Sequence, residues 1–293
     1  NTDNMRIPES ELISNEDGSA FHIHMKPEQL ADNVILVGDP GRVGMIKPMF
    51  DAVECENASR EFVSFTGVYH GARITVMSTG IGTDNVDIVM TELDSLANID
   101  YATREVKPEH RSLNILRIGT CGAIQPEIPL GAFILSHISI GCDGLLNWYD
   151  NRDSIALLDF EEAFKEHVHW DRHLPDPYFV RASDHMIEKF KDCTVKGMTV
   201  AASGFYGPQG RVVRQSLAMP NMLEDFESFE FGGFKITNFE MESSALAGMS
   251  AKLGHNAVTL CCAIAHRYHK GANTDYKPRV FEMVKLALDK MAE

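Results

Sequence analysis

Short apolar runs alternate along the chain with segments whose apolar residues recur at helical spacing. Apolar runs of about four to eight residues are typical of buried strands, and apolar residues at i, i+3, i+4 and i+7 indicate an amphipathic helix. We therefore predict strands at residues 33–37, 73–78, 114–118, 132–140, 195–202, 235–239 and 256–265. We predict helices at residues 85–99, 183–191 and 240–253, and from Pro278 onwards. Strands that alternate with helices predict an α/β fold with a mixed, twisted sheet flanked by helices.

Two of the predicted helices have a clear apolar face. In residues 85–99 this face consists of Val86, Val89, Met90, Leu93, Leu96 and Ala97. In the last helix it consists of Val280, Phe281, Val284, Leu288 and Met291. We expect Thr83 or Asp84 to cap the first of these helices.

The segments without a clear period predict the domain organisation. Residues 1–20 are polar, so we expect a loose or partner-bound N-terminal arm. Residues 101–113 and 143–180 have the character of insertions, and residues 211–233 that of a polar loop. Because no linker interrupts the rest of the chain, we predict a single domain over residues 21–293.

Charge and cysteine content exclude several kinds of partner. The 293 residues carry a formal net charge of −15. Nucleic acids and anionic membranes require a basic surface, so neither is a predicted partner. The six cysteines form no CxxC pair and are too sparse for a disulfide scaffold. They are typical of a reduced, cytoplasmic protein, and we find no apolar run of the ~20 residues that a membrane span needs.

Three predicted strands are followed by glycine-containing turns, at residues 38–42, 79–84 and 117–122. Because ligands of α/β sheets bind at the carboxyl ends of strands, we expect these turns to share a crevice. The arginines Arg42 and Arg117, with backbone N–H groups of the turns, suit a phosphate ion. The alternative for Arg117 is an ion pair with a carboxylate of the protein. Neither the P-loop motif nor the GxGxxG dinucleotide motif is present.

A pair of carboxylates follows the predicted strand at residues 235–239. Glu240, Met241 and Glu242 lie where the next helix begins, so one carboxylate could accept two vicinal hydroxyls of a ribose while the methionine packs on the sugar. The alternative is pairing of the carboxylates with the helix dipole.

A Gly-Pro loop after the predicted strand at residues 195–202 carries Phe205, Gln209 and Arg211. These side chains could stack on a planar ring and hydrogen-bond to its edge, because glutamine is both donor and acceptor and arginine is a donor. A ring with adjacent C=O and N–H groups, such as uracil, matches this set. An ordinary surface turn is the alternative.

Together these segments resemble the nucleoside phosphorylases. The matching segments are Phe21-His22, Gly38-Asp39-Pro40-Gly41-Arg42, Ser59-Arg60-Glu61-Phe62, Ser78-Thr79-Gly80-Ile81-Gly82, Arg117-Ile118-Gly119-Thr120-Cys121-Gly122-Ala123-Ile124-Gln125-Pro126, Phe205-Tyr206-x-x-Gln209-x-Arg211, Asn238-Phe239-Glu240-Met241-Glu242-Ser243 and His266-Arg267. They occur in the order of the family. The resemblance implies a phosphorylase/hydrolase-like α/β fold whose mixed sheet is partly barrel-like.

The resemblance also implies a reaction, in which phosphate attacks C1′ of a β-nucleoside to give the free base and α-ribose 1-phosphate. It implies that phosphate binds Gly38, Arg42, Arg117 and Thr120, and Arg60 of a neighbouring subunit. It implies that ribose binds Met241 and Glu242, and His22 of that subunit. It implies that the base binds Gly122, Phe205, Gln209 and Arg211. Among these, the residues expected to carry catalysis are Arg42, Arg117, Gln209 and Arg211.

Two features favour uridine as the nucleoside. Gln209 and Arg211 suit uracil, and Ala265-His266 stands where the resemblance places a Ser-Asp pair in purine-cleaving members. His266 is itself a departure from the uridine-cleaving pattern. The alternatives are a purine nucleoside phosphorylase or nucleosidase of the same fold, and a non-catalytic nucleoside-binding protein.

We predict no cofactor and no metal site. Glu61 and Ile81 fit the monovalent-cation site of the family, but Asn85 replaces its usual serine. Cys121 stands where threonine or serine is common, and the reaction needs no thiol nucleophile. The resemblance further implies a homodimer with shared sites, a unit that can stack into a hexamer.

Overall fold

The protein is built on one large mixed sheet that closes partly into a barrel. The structure is a computed structural model that describes residues 5–267, 271–272 and 274–293. The first four residues of the predicted arm lie outside the described residues. The α/β fold class and the partly barrel-like sheet are confirmed.

The helices and strands follow in chain order. The strands are β1 (Asn33–Val37), β2 (Ala52–Ser59), β3 (Phe62–Tyr69), β4 (Ala72–Ser78), β5 (Ile99–Asp100), β6 (Glu105–Val106), β7 (Asn114–Ala123), β8 (Phe133–Gly141), β9 (Tyr178–Arg181), β10 (Val195–Ala201), β11 (Glu230–Phe231), β12 (Phe234–Glu240), β13 (Asn256–His266) and β14 (Gly271–Ala272). The α-helices are α1 (Pro40–Ile46), α2 (Thr83–Asn98), α3 (Leu158–Val168), α4 (Asp184–Phe190), α5 (Met222–Ser228), α6 (Ser243–Leu253) and α7 (Lys277–Met291).

The main sheet has the strand order β2-β3-β4-β1-β7-β13-β8-β10-β12-β11. An additional antiparallel pairing of β12 with β7 closes β7, β13, β8, β10 and β12 into a five-stranded barrel. Because β4, β1, β7 and β13 are mutually parallel, their carboxyl ends lie at the same edge of the sheet.

Two backbone contacts bring the predicted turns together at that edge. The N–H of Thr79 donates to the carbonyl of Val37 at 2.8 Å, and the N–H of Gly80 donates to the carbonyl of Gly38 at 2.9 Å. The β7–β12 pairing places Gly122 opposite Phe239. The strand ends that carry the predicted ligand-binding groups therefore meet in one place.

The turn predicted at residues 117–122 is wrong, because these residues belong to β7, which continues from Asn114 to Ala123 without a break. Gly119, Thr120 and Gly122 are strand residues that remain paired with β13. The glycines had suggested a turn, but here they make space for side chains from elsewhere.

Helices cover both faces of the sheet and enclose three main apolar clusters. One contains residues of α1, α4 and α7, the second residues of α2 and α6, and the third residues of α3 and α5. The predicted apolar face of α2 is buried throughout. Phe281 of α7 is 45% exposed, so the predicted face of that helix is wrong at this residue. Neither Thr83 nor Asp84 caps α2, which begins after Gly82. No helix in the described ranges is both long and apolar enough to cross a bilayer.

Two α-helices and two strands of the main sheet lie in or at the end of segments that show no clear period in the sequence. Helix α3 lies within residues 143–180 and β9 begins at their end, while α5 and β11 lie within residues 211–233. The apolar face of α3 is interrupted by Glu161, a buried carboxylate that pairs with Arg152 at 2.7 Å. That buried ion pair explains why the helical period is hard to see.

The described part of the predicted arm is packed on the domain rather than loose. The guanidinium of Arg104 is buried and donates to the backbone carbonyls of Ile7, Pro8 and Leu12. Since the arginine lies in the predicted insertion at residues 101–113, that segment and residues 5–20 hold each other in place.

Candidate active site

The carboxyl ends of β1 and β4 and the adjacent part of β7 surround an open cavity of about 670 Å³, which we call the arginine cavity. Among the residues that line it are Gly38, Arg42, Glu61, Ile81, Asn85, Arg117, Thr120 and Glu242. Four of these are the residues for which the sequence predicts phosphate binding: Gly38, Arg42, Arg117 and Thr120. The structure therefore brings them together.

The guanidinium of Arg117 is buried at 4% exposure and forms an ion pair with the carboxylate of Glu242. The ligand-binding and ion-pair alternatives for Arg117 are thus compatible, because the paired side chain also lines the arginine cavity. Neither Nε of Arg117 nor Oε2 of Glu242 has a partner within the described chain. Buried polar atoms of this kind are costly unless a ligand or water meets them.

Glycines give the Arg117 guanidinium its space. A Cβ atom on Gly38 would lie 3.2 Å from Nη2 of Arg117, and one on Gly119 would lie 3.0 Å from Nη1. Both distances are shorter than ordinary van der Waals contact, so a larger residue at either position would push the guanidinium away.

Arg42 supplies the second cation of the arginine cavity. It lies in the first turn of α1, which is capped by the Asp39 carboxylate accepting the N–H of Gly41 at 2.8 Å. Burial lowers the pKa of Arg42, the Asp39 charge opposes that shift, and the Arg117 charge adds to it. An anion between the two guanidinium groups would relieve this repulsion.

A second cavity of about 230 Å³, which we call the loop cavity, adjoins the first. Its lining includes Ile81, Thr120, Gly122, Phe205, Gln209, Arg211, Glu240, Met241 and Glu242. The two cavities share Ile81, Thr120 and Glu242. The predicted base-binding residues and two of the predicted ribose-binding residues therefore lie beside the predicted phosphate site.

The base loop is held by its own side chains. The amide of Gln209 is buried, donates to the carbonyl of Gly204 at 3.2 Å and accepts from Nη1 of Arg211 at 2.8 Å. The Arg211 guanidinium lies 3.9 Å from the ring centroid of Phe205, within cation–π distance. Burial and the charge of Arg267 lower the pKa of Arg211 to about 10.

Arg267 is a site residue that sequence reasoning missed, although the His266-Arg267 segment had marked it. Its Nη2 donates to the backbone carbonyl of Gln209 at 3.2 Å. Its side chain lies against Gly122, where a Cβ atom would be 3.0 Å from Cγ and Cδ of the arginine. Nε of Arg267 is buried without a partner among the described residues.

Glu240 is the first of the two carboxylates at the end of β12, and the sequence pattern assigned it no role separate from that of Glu242. It is the last residue of β12, lines the loop cavity and is 5% exposed. Burial and the neighbouring charge of Glu242 raise the pKa of Glu240 to about 7, while the charge of Arg117 opposes the shift. Its carboxylate accepts backbone N–H groups at the start of α6, so the helix-pairing alternative is correct for this residue.

His22 and Arg60 are not among the residues that line the two cavities within the described chain. Nδ1 of His22 lies 2.6 Å from the Glu92 carboxylate, which also accepts the His22 backbone N–H at 2.7 Å. Arg60 is exposed at the β2–β3 turn with a φ of 52°. Arg60 is exposed and His22 is partly exposed.

Cys121 lines the loop cavity. The hydrogen bond with Cys121, together with burial, holds the pKa of the adjacent Cys261 thiol well above its usual value.

Taken together, the site combines a cavity lined by two arginines with an adjoining cavity lined by carboxylate, amide, guanidinium and aromatic side chains. Comparison with known proteins identifies the family. A family model described as "Phosphorylase superfamily" matches residues 32–293, so the chain belongs to that superfamily, which comprises the pentosyltransferase-type nucleoside phosphorylases.

Similar proteins differ in the base that they release. The chain is 27% identical to a uridine phosphorylase of Thermococcus kodakarensis, over 88% of this chain and 81% of that protein. It is 28% identical to a DeoD-type purine nucleoside phosphorylase of Bacillus cereus, over 92% and 97% respectively. A crystal structure of a Trypanosoma brucei nucleoside phosphorylase, described as showing uridine phosphorylase activity, superimposes with a TM-score of 0.87 and 29% identity, over 96% of this chain and 99% of that one.

Proposed function

We propose that the protein is a uridine phosphorylase, which converts uridine and inorganic phosphate reversibly to uracil and α-D-ribose 1-phosphate. The observation that carries the proposal is the shared wall of the two cavities at Ile81, Thr120 and Glu242. An anion on the arginines would lie next to a nucleoside in the loop cavity, so that its oxygen can approach C1′.

The proposed phosphate site consists of Arg42, Arg117, Thr120 and the backbone at Gly38. Two guanidinium groups and a hydroxyl provide donors for three phosphate oxygens, and the fourth oxygen faces the loop cavity. The Glu242 carboxylate keeps Arg117 in place when the site is empty. A co-substrate held in this way is oriented for attack before the nucleoside reacts.

In the proposed ribose site, Oε2 of Glu242 accepts hydroxyl groups of the sugar. That oxygen is buried and unpaired within the described chain, although the other oxygen pairs with Arg117. Met241 packs on the sugar face. We propose that a second copy supplies His22 to the 5′-hydroxyl and Arg60 to the phosphate, so the active unit is a homodimer.

In the proposed base site, uracil lies between Phe205 and the backbone at Gly122. Gln209 exchanges its contacts with the loop for the C=O and N–H groups of the base, and Arg211 donates to a carbonyl oxygen. A glutamine amide complements this edge of uracil because it offers both a donor and an acceptor.

The proposed mechanism uses electrostatics and needs no general acid. A phosphate oxygen forms a bond to C1′ as the bond from C1′ to N1 of the base breaks, and the electron pair moves onto the uracil ring. Donors from Gln209 and Arg211 stabilise the charge that develops on the base, and the two phosphate-binding arginines align the nucleophile. Both groups of residues are therefore catalytic residues in this proposal.

A purine nucleoside phosphorylase is the second candidate. The DeoD-type relative, at 28% identity over 92% of the chain, favours it. Two features of the site speak against it: the Gln209–Arg211 pair suits a pyrimidine edge, and Ala265 and His266 offer no carboxylate to protonate a purine.

The experiment that tests the proposal compares kcat/KM for uridine, thymidine and inosine at saturating phosphate. We expect kcat/KM to be at least tenfold higher for uridine than for inosine. One well-placed polar contact can change the ratio of kcat/KM between two substrates by more than tenfold. Faster cleavage of inosine would establish the purine alternative. Nucleoside binding in calorimetry without any turnover would establish a binding protein. We further propose a cytoplasmic location for this activity.

A further inference from the structure

Glu240 holds the backbone of the segment that carries Glu242. Its Oε2 accepts the N–H of Glu242 at 2.8 Å and that of Ser243 at 3.0 Å, and its Oε1 accepts the Ser243 N–H at 2.9 Å. Glu240 is itself fixed, because its backbone carbonyl accepts the N–H of Ala202 at 2.9 Å. The first residues of α6 are therefore tied to the end of β12.

Glu242 is consequently held from two directions. The Glu240 carboxylate fixes its backbone, and Arg117 of β7 fixes one oxygen of its side chain. The other oxygen, Oε2, is buried and unpaired within the described chain, and the Glu242 residue lines both cavities. The position of this oxygen depends on both anchors.

A charged carboxylate at Glu240 is energetically unfavourable in the folded protein. Its carboxylate is buried beside a second carboxylate, and both the burial and the Glu242 charge raise its pKa. The charged groups that face it are Glu242 on its own segment and Arg117 on β7, and the Cys261 thiol of β13 is nearby. An apolar or amide residue would avoid this cost, unless the carboxylate itself is needed.

We propose that Glu240 is a positioning residue that sets Glu242 against the vicinal hydroxyls of the ribose and thereby determines the preference for ribonucleosides over 2′-deoxyribonucleosides. This inference rests on the proposed function. Glu240 acts through Glu242, since its oxygens are occupied by the backbone N–H groups of Glu242 and Ser243. The Glu242 oxygen can accept both vicinal hydroxyls only over a narrow range of positions. A shift of this oxygen would therefore weaken the contact with the 2′-hydroxyl, and a 2′-deoxyribonucleoside does not make that contact at all.

The test uses Glu240→Gln and Glu240→Asp, with Glu242→Gln as the background for a double-mutant cycle. Glutamine keeps the shape of the side chain but replaces one acceptor oxygen by a donor, and aspartate keeps the charge but is too short. The readout is the ratio of kcat/KM for uridine to that for 2′-deoxyuridine. We expect the ratio to fall about tenfold in both variants, as for the loss of one hydrogen bond to a charged group.

The double-mutant cycle between Glu240 and Glu242 distinguishes a positioning role of Glu240 from a merely structural one. If Glu240 acts through Glu242, adding Glu240→Gln to the Glu242→Gln background changes the ratio by less than about twofold. Equal losses for both substrates, additive in the double variant, would overturn the inference and leave Glu240 as a helix cap. An inactive wild type would instead overturn the proposed function.

The pH dependence of the wild type provides a readout that needs no variant. As the pH falls through about 7, Glu240 takes up a proton and one of its oxygens ceases to accept. We expect the uridine to 2′-deoxyuridine ratio to fall between pH 8 and pH 6, and to be flat in Glu240→Gln. Phosphate ionisation affects both substrates equally and cancels in the ratio. A flat wild-type ratio would contradict the inference.

Discussion

Arg117 and Glu242 form a buried ion pair that joins β7 to the segment after β12. Both residues line the arginine cavity, and Glu242 also lines the loop cavity. Arg117 comes from β7 and Glu242 from the segment between β12 and α6. The pair connects the proposed phosphate site to the proposed ribose site. Changes to either residue should therefore affect both substrates.

Arg117→Ala leaves the Glu242 carboxylate buried without its partner. Removing one member of a buried pair costs about 3–5 kcal/mol of stability, and loss of the phosphate contact should lower kcat/KM by about 10²–10³-fold. Chemical denaturation and phosphorolysis assays measure the two effects. Arg181→Ala is the matched control, because Arg181 forms an exposed pair with Asp184 that is worth at most about 1 kcal/mol. Equal effects of the two substitutions would contradict the assignment of Arg117.

Gln209→Ala should reduce recognition of uracil. We expect kcat/KM for uridine to fall by about 10- to 100-fold, as for the loss of buried hydrogen bonds worth about 1–3 kcal/mol. Gln215 lies on the same loop but is exposed, so Gln215→Ala is the control and should change kcat/KM less than twofold. A loss in the control as large as that in Gln209→Ala would mean that the loop, rather than the amide, matters.

Gly119→Ala should act through Arg117. Its Cβ would lie 3.0 Å from Nη1 of the guanidinium, so the arginine must move. We expect the KM for phosphate to rise several-fold, with a smaller change in the KM for uridine, and overpacking of this kind costs about 1–3 kcal/mol. Gly44 in α1 has open space around it, and Gly44→Ala should be neutral or stabilise the helix by up to about 1 kcal/mol. An unchanged phosphate KM in Gly119→Ala would contradict the proposed phosphate site.

Arg267→Ala tests whether the base pocket excludes larger rings. Arg267 lines a third cavity of about 740 Å³ that shares Phe205, Arg211 and Ala265 with the loop cavity. Its side chain lies against Gly122 and binds the carbonyl of Gln209, so it separates the two spaces. We expect the ratio of kcat/KM for inosine to that for uridine to rise about tenfold, because loss of one wall contact is worth about 1–3 kcal/mol in specificity. A ratio that stays constant would show that Arg267 is not the barrier.

Mixing inactive variants tests the proposed sharing of sites between subunits. Arg60→Ala and Arg117→Ala should each be nearly inactive. Arg60→Ala removes the phosphate contact that each chain makes in the site of its partner, and Arg117→Ala removes the phosphate contact in the site of its own chain. In randomly mixed dimers, about one site in four would then be intact. Recovery of about a quarter of wild-type activity after co-refolding supports a shared site. No recovery would mean that Arg60 serves only its own chain.

The sequence predicted most of the sheet and the grouping of the site residues, because strands with apolar runs and glycine-arginine ends have strong local signals. It did not predict the path of β7 through Gly119 and Gly122, since glycines that accommodate Arg117 and Arg267 are indistinguishable in sequence from turn glycines. Nor did it predict α3, whose apolar face contains the paired carboxylate of Glu161. Such features depend on contacts with residues distant in the chain.

The roles of Glu240 and Arg267 also depend on contacts with the backbone that the sequence does not reveal. Glu240 and Arg267 lie next to predicted residues in the sequence, but their roles depend on the backbone groups that they bind. Side chains that hold the backbone in place carry no motif of their own. Their roles can be recognised only in the structure, where the ends of β12 and β13 lie beside β7.

The most direct test of the account is the release of uracil from uridine with and without inorganic phosphate, with the sugar product identified by phosphorus NMR. Because the two cavities share a wall at Thr120 and Glu242, we predict that release requires phosphate and that each uracil is accompanied by one ribose 1-phosphate. Release of uracil and free ribose at the same rate without phosphate would contradict the account, as would the absence of any release.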